Sequence, residues 1–203
     1  FTVTLSEVSG QDVTVDYASS DVSTTAGSDY TSSTGTVTIL AGNTTQTFNV
    51  PVLVDTLDEV NETSTLTLSN PTNATISDAT GTLTIVDDDA TPSLSINDVS
   101  YTESGTGGNA TFTVTLSEAS AQEVTVNYAS SNNTATAGSD YTAASGTVTI
   151  AAGATSATFN VPVSADTLDE ASETATMTLS SPTNATISDA TGTLTIVDDD
   201  TAP

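Results

Sequence analysis

The residues best suited to chemistry are acidic side chains gathered in two short clusters, each of which occurs twice. Residues 166–173 contain four carboxylates, and Asp198–Asp200 add three more; residues 55–62 and 87–89 repeat this arrangement earlier in the chain. The sequence contains no Lys, Arg or His, so no basic side chain can neutralise these acids. Like charges a few ångströms apart repel by about 1 kcal/mol in water and about 4 kcal/mol at a protein surface. Either the acids stay apart in solvent or a hard cation joins them.

Calcium is the cation that this set of side chains favours. Ca2+ takes six to eight oxygen ligands from carboxylates, carbonyls and water, and the clusters offer only oxygen. Zinc prefers His and Cys ligands, and both are missing. Magnesium is possible but accepts crowded protein cages poorly. The alternative interpretation is a solvated acidic surface without a bound metal.

The composition argues against several other functions. Ser and Thr are plentiful, but no His or Lys is present to activate one as a nucleophile. Paired carboxylates could hydrolyse glycosides, yet here they crowd together without aromatic sugar platforms, so we expect no enzyme. A net charge of -26 argues against binding to nucleic acid or anionic membranes. No apolar run is long enough to span a bilayer, so we expect no membrane insertion.

The chain consists of two copies of one module. Shifting the sequence by 111 residues aligns Phe1 with Phe112 and Pro92 with Pro203 without a gap, and roughly three quarters of the positions are identical. The predicted domains are an incomplete repeat over 1–89, a linker over 90–92, a complete repeat over 93–200, and the start of a further linker over 201–203. The first copy has no counterpart of Ser93–Thr111. We therefore expect the chain to be a window from a longer array, in which an upstream or donated strand completes the first repeat.

Alternating apolar residues predict seven short strands in the complete repeat, with Thr on the solvated faces. The strands are marked by Leu94 and Ile96; Phe112, Val114 and Leu116; Val124, Val126 and Tyr128; Val148 and Ile150; Phe159, Val161 and Val163; Ala175, Met177 and Leu179; Leu194 and Ile196. No helical periodicity competes with this pattern. The fold class is therefore all-β, with immunoglobulin-like sandwiches joined head to tail.

This topology predicts where the acids lie. If successive strands run antiparallel, the first, third and fifth connections and the end of the last strand all lie at one end of the sandwich. Most of the acids of the repeat fall in these four places, from Glu103 through to Asp200. Acidic residues that served only solubility would be spread over the surface instead of collecting at one end.

Four motifs together resemble the Calx-beta module. They are Gly-Ser-Asp-Tyr at 138–141, Gly-Thr-Val at 146–148, Asp-x-x-x-Glu-x-x-Glu at 166–173 and Thr-Ile-Val-Asp-Asp-Asp at 195–200. Calx-beta domains are sandwich modules that serve as calcium sensors in sodium–calcium exchangers and as tandem repeats in large bacterial extracellular proteins. The resemblance covers the complete repeat and all that is present of the first.

The resemblance implies a set of calcium ligands in each repeat. In the complete repeat they are Glu103, Asp140, Asp166, the Leu168 carbonyl, Glu170, Glu173, Asp198, Asp199 and Asp200. In the first they are Asp29, Asp55, the Leu57 carbonyl, Glu59, Glu62, Asp87, Asp88 and Asp89. The chain departs from the family at Val54 and Ala165, which stand where an acid is common, and the first repeat has no counterpart of Glu103. Asp58 and Asp169 are interpreted as lying outside the ligand set.

The leading hypothesis is a calcium-binding structural repeat of a long bacterial stalk, adhesin or filament at the cell surface, in which Ca2+ at the module junctions stiffens the array. Its expected partners are calcium ions, adjacent repeats of the same chain and neighbouring copies in a filament. A calcium sensor read by another domain is the second hypothesis. The third makes the Thr-rich strand faces a surface that binds glycans or other surfaces.

Overall fold

The computed structural model describes residues 1–103 and 105–201, and within these ranges the regular structure is entirely β-strand. The chain divides into two compact units. The first unit comprises Phe1–Thr56 and Val60–Asp88, and the second comprises Leu57–Glu59 and the residues from Asp89 onward. The described ranges hold no helix with the length and hydrophobicity that crossing a bilayer requires.

The second unit is a two-sheet sandwich, which confirms the predicted fold class. Its strands are β7 (Ser93–Ile96), β8 (Val99–Thr102), β9 (Gly108–Leu116), β10 (Val124–Asn132), β11 (Ser145–Ile150), β12 (Ser156–Val163), β13 (Glu173–Thr183), β14 (Thr186–Ile187) and β15 (Thr191–Val197). One sheet has the order β11-β10-β13-β15-β8 and the other has the order β12-β9-β7-β14. All seven predicted strands are present.

The core of the second unit is built from the alternating residues that face inward. Phe112, Val124 and Leu194 are completely buried. The Thr residues that alternate with the inward-facing residues along these strands face outward. Twenty buried hydrophobic residues form one continuous cluster between the two sheets. Burial of this apolar surface is the main force that holds the sheets together.

Two strands of the second unit were missed by the sequence pattern, β8 and β14. The chain bends at Asn97 and Asp98 after β7, so that β7 pairs with β9 while β8 pairs with β15 in the opposite sheet. The first segment of the repeat therefore contributes to both sheets. β14 is only two residues long and pairs in parallel with β7. β14 is too short to show an alternation, and both strands depend on partners distant in sequence.

The first unit repeats this architecture without the segment that forms β7 and β8. Its strands are β1 (Thr2–Thr4), β2 (Val13–Asp21), β3 (Thr34–Ile39), β4 (Thr45–Thr47), β5 (Glu62–Thr72) and β6 (Thr80–Ile85). Its sheets have the orders β3-β2-β5-β6 and β1-β4. The buried cluster that these strands enclose contains only Val13, Val15, Val37 and Ile39.

Candidate metal centre

One end of the second sandwich collects the acidic residues. Glu103 directly follows β8, Asp140 lies between β10 and β11, and Asp166–Glu170 lie between β12 and β13. Glu173 is the first residue of β13, and Asp198–Asp200 directly follow β15. The antiparallel pairing of β10 with β11 and of β13 with β15 brings these positions to the same end.

A tight turn fixes the position of Asp140. Its carboxylate accepts a hydrogen bond of 2.6 Å from the backbone N–H of Thr136, four residues earlier. Gly138 within the turn has a φ of 97°, a conformation that glycine adopts readily. The next residue, Tyr141, is buried, and its hydroxyl donates a 2.7 Å hydrogen bond to Asn132. The turn is thus anchored to the core on one side and presents a carboxylate on the other.

Three carboxylates meet at the centre of the acidic end. One oxygen each from Asp140, Glu170 and Glu173 lies within 4.8 Å of the other two. Desolvation, a side-chain hydrogen bond to Asp140 and the negative charges nearby raise the pKa of Glu173 to about 7. Desolvation, followed by the charges of Asp166, Asp140 and Asp198, also raises the pKa of Glu170. The protein holds negative charge here at a free-energy cost that a cation would remove.

Glu103 and Asp200 extend this cluster. Glu103 is buried, and its pKa is raised by desolvation and then by the charges of Asp166, Glu170, Asp198 and Asp140. The pKa of Asp200 is raised by desolvation and then by Asp199, Asp198, Asp166 and Asp169. The structure therefore gathers all eight acids of the predicted ligand set in the second repeat into one electrostatic cluster.

The donors present at this end suit Ca2+. One carboxylate oxygen of Asp198 and one of Asp200 are buried and accept no hydrogen bond from the described part of the chain. Buried polar atoms are normally satisfied, and an oxygen-binding cation would satisfy both. The set offers many oxygens, no nitrogen and no sulfur, as Ca2+ prefers. Leu168, the predicted carbonyl ligand, donates its N–H to Asp166 at 2.8 Å. Ligation by the named residues stays a prediction.

The first repeat has fewer of its predicted ligands within its own unit. Asp29 and Glu62 bring carboxylate oxygens within 4.8 Å of each other, and the carboxylate of Asp29 accepts a hydrogen bond from the N–H of Thr25. Asp55, Asp87 and Asp88 also belong to the first unit, whereas Leu57, Glu59 and Asp89 group with the second. The equivalent position to Glu103 is absent from the sequence.

Asp58 has a structural position that the sequence did not indicate. Its side chain is 6% exposed in the second unit. The carboxylate accepts hydrogen bonds from Ser120 at 3.1 Å, Gln122 at 3.3 Å and Thr91 at 3.3 Å. Its counterpart Asp169 is exposed. A carboxylate with three uncharged donors can be buried without a cation, but only tertiary structure supplies those donors.

Comparison with known proteins gives one family and several solved structures. The crystal structure of CBD12 from CALX1.2 is 17% identical, covering 97% of this chain and 91% of that one, with a TM-score of 0.44. The apo-form Calx CBD1 domain is 19% identical, covering 55% and 100%, with a TM-score of 0.47. The calcium binding domain CBD12 of CALX1.1 is 21% identical, covering 90% and 72%, with a TM-score of 0.43. No curated protein matched the sequence.

The family profile of the Calx-beta domain matches residues 1–89 and again residues 87–200. These two matches follow the internal repeat and together account for nearly the whole sequence. The chain therefore belongs to the Calx-beta family and carries two of its domains in tandem.

Proposed function

We propose that the complete repeat binds Ca2+ at its acidic end and that the tandem is a structural module rather than an enzyme. The observation that carries this proposal is the convergence of Glu103, Asp140, Glu170, Glu173 and Asp198 within mutual electrostatic reach. The absence of Lys, Arg and His from the sequence means that no side chain can take the place of the cation.

The predicted ligands differ in how firmly the fold positions their carboxylates. Asp140 is held by its turn and Glu173 by the start of β13, so both are in place before an ion arrives. Asp166, Glu170 and Asp198–Asp200 lie on connections outside the strands and can adjust to the ion. Glu103 contributes a buried carboxylate. Bound Ca2+ would supply positive charge that cancels the repulsion among these groups.

We also propose that the module belongs to a long extracellular stalk, adhesin or filament of a bacterium. Two features support this placement. The repeats are identical at roughly three quarters of their aligned positions and follow each other closely, as in an array whose units share one mechanical task. The predicted Ca2+ ligands of the two repeats are also largely the same residue types, whereas a sensor pair is expected to diverge in its ligands. Stiffening of the array by Ca2+ would appear in small-angle scattering as a narrower distribution of end-to-end lengths.

Calorimetric titration and thermal unfolding of the 203-residue protein test calcium binding. We expect about 10 mM Ca2+, roughly tenfold above the weakest dissociation constants of extracellular modules, to raise the melting temperature relative to chelator, because the ligand binds only the folded state. Replacing Glu170 and Glu173 by Gln should remove most of the shift. Glu123→Gln is the matched control, since Glu123 is exposed on the β9–β10 connection at the other end of the sandwich.

The results of these measurements distinguish a structural calcium site from a sensor, from general charge screening and from no binding. Equal melting temperatures in chelator and in Ca2+ would refute the metal site. A dissociation constant in the millimolar range fits an extracellular structural repeat, while a micromolar constant fits a sensor. An equal loss of the shift in Glu123→Gln would mean that Ca2+ acts by general screening.

A further inference from the structure

The two units differ at one pair of neighbouring positions in the central strands. Asp21 of the first unit corresponds to Asn132 of the second, and Ser64 corresponds to Ala175. Asp21 in β2 pairs directly with Ser64 in β5, and the Cβ atoms of such opposed residues lie on one face, about 4.5–5.5 Å apart. The first unit therefore has a carboxylate and a hydroxyl where the second has an amide and a methyl group.

The Ser64 hydroxyl is buried without a partner. Ser64 is completely buried, and its Oγ makes no hydrogen bond within the described part of the chain. Its strand lies between β2 and β6 in the sheet, and Ser64 shares the inner face of β5 with Leu66 and with Glu62. Buried polar atoms are normally satisfied, so this hydroxyl indicates a bound group on that face.

The turn beside Asp21 does not need a carboxylate. Oδ1 of Asp21 accepts hydrogen bonds from the Tyr30 hydroxyl at 2.7 Å and from the Ala26 N–H at 3.2 Å. Oδ1 of Asn132 accepts the same two bonds, from the equivalent tyrosine and alanine, at 2.7 Å and 3.0 Å. What the carboxylate adds is Oδ2, which accepts no hydrogen bond from the described residues. A neutral amide would instead place an N–H donor there.

The surroundings of these two oxygens favour a cation. Asp21 is exposed and gives access from solvent, whereas Ser64 forms a buried floor. A carboxylate oxygen of Glu62 lies within 4.8 Å of one from Asp29, and the chain has no Lys, Arg or His to balance these charges. A water molecule could satisfy the hydroxyl but would leave the charges uncompensated. A divalent cation would do both, and a set of oxygens alone suits Ca2+.

We propose that the first unit binds an additional Ca2+ between Asp21, Ser64 and Glu62, at a position that has no equivalent in the second unit. The ion takes Oδ2 of Asp21, Oγ of Ser64 and an oxygen of Glu62, and water completes its coordination. This inference rests on the proposed calcium binding of the tandem, but Asp21 and Ser64 lie outside the ligand set predicted for either repeat. The two units would therefore hold different numbers of ions.

Equilibrium dialysis of the 203-residue protein against Ca2+ tests the proposal by counting bound ions. Asp21→Asn combined with Ser64→Ala gives the first unit the residues of the second and should bind about one ion fewer. The second unit already accommodates both residues, so the variant should fold and should match the native protein in hydrogen exchange in chelator. The slowing of exchange by Ca2+ where β2 meets β5 should be reduced in the variant.

Asp16→Asn is the matched control. Asp16 also lies in β2, its counterpart is Asn127, and the substitution removes the same charge. Its side chain lies on the outer face, because the preceding Val15 is buried. There it accepts a hydrogen bond from Thr36 at 2.7 Å. Any ions that are attracted only by net charge should decrease equally in this variant, so we expect its count to equal that of the native protein.

The reciprocal change tests whether the two oxygens are sufficient. Asn132→Asp combined with Ala175→Ser places the carboxylate and the hydroxyl in the second unit, beside Glu173, which is the counterpart of Glu62. This variant should bind about one ion more than the native protein.

A lower count in the Asp21 and Ser64 variant, with no change in Asp16→Asn, supports the proposal. Three results would overturn it: a native count in the folded Asp21 and Ser64 variant, an equal loss in Asp16→Asn, or no gain in a folded reciprocal variant. A native protein that binds no Ca2+ would overturn the proposed function as well. A count that falls only when Glu170 and Glu173 are replaced by Gln would overturn this inference alone.

Discussion

Asp140 and Glu173 bring carboxylate oxygens within 4.8 Å of each other, and the pKa of Glu173 is raised by desolvation and then by a side-chain hydrogen bond to Asp140. Such a bond requires a proton, because two carboxylates offer only acceptors. The proton belongs to Glu173, whose pKa of about 7 is far above the ordinary glutamate value of 4.5. Without a bound cation, protonation of Glu173 therefore stabilises this pair, and the two carboxylates repel each other when the proton leaves.

The first prediction follows from this proton. The pKa of Glu173 is higher in the folded state than in the unfolded state, so the folded state binds more protons. The stabilisation is fully present below pH 4.5 and is lost as the pH rises to about 7. In chelator, the urea midpoint of the second unit should fall across this window. Glu173→Gln, which keeps a hydrogen-bond donor toward Asp140, should reduce the fall, and an unchanged slope in this variant would contradict the assignment.

A second prediction concerns protons released by calcium. Carboxylates must be ionised to bind a metal, so Ca2+ has to displace the proton of Glu173. We expect release of up to about one proton per protein molecule at pH 6 and much less at pH 8. Calorimetry in two buffers of different ionisation enthalpy measures this number directly. Equal release at both pH values would show that Glu173 is not part of the site.

Asp58 and Asp169 provide a matched pair for the third prediction. Asp58→Ala removes a buried carboxylate that accepts hydrogen bonds from Ser120, Gln122 and Thr91, of which Ser120 is buried, and this should destabilise the second unit by about 1–3 kcal/mol. Asp169→Ala alters an exposed side chain and should change stability by no more than about 0.5 kcal/mol. Denaturant unfolding compares them, and equal effects would mean that the hydrogen bonds of Asp58 contribute nothing.

The fourth prediction compares the aromatic cores. Phe112 stacks on Phe159 at 5.4 Å and is completely buried, so Phe112→Ala should cost about 3–5 kcal/mol. Phe1 stacks on Phe48 at 5.6 Å but remains partly exposed, and Phe1→Ala should cost about 1 kcal/mol. Hydrogen exchange resolves the two units within one sample. Equal losses would indicate that Phe1 is as well covered in solution as Phe112.

The local alternation of apolar residues was sufficient to predict most of the strands. The alternation at Val124–Tyr128 and at Phe159–Val163 predicted β10 and β12. These strands are long enough for the two-residue period to be visible. β8 and β14 were missed because their existence depends on β15 and β7, which are distant in sequence.

The candidate site was predictable only as a set of residues. Strand order indicated which connections share an end, and the acids of the second repeat do lie together there. The sequence did not indicate that the pKa of Glu173 is raised beside Asp140, because this depends on their separation and on desolvation. Nor did it distinguish Asp58 from Asp169, since the two lie in the same local motif and differ only in the tertiary donors around them.

The parallel pairing of β8 with β15 has a mechanical consequence. If the second unit is pulled from its two ends, tension reaches β8 once β7 has detached, and the start of β8 and the end of β15 are then drawn in opposite directions along the strand axis. The hydrogen bonds from Val99–Leu194 to Thr102–Val197 then carry the load together, in shear, instead of opening one after another. Under tension the second unit should therefore resist extension until these hydrogen bonds break together.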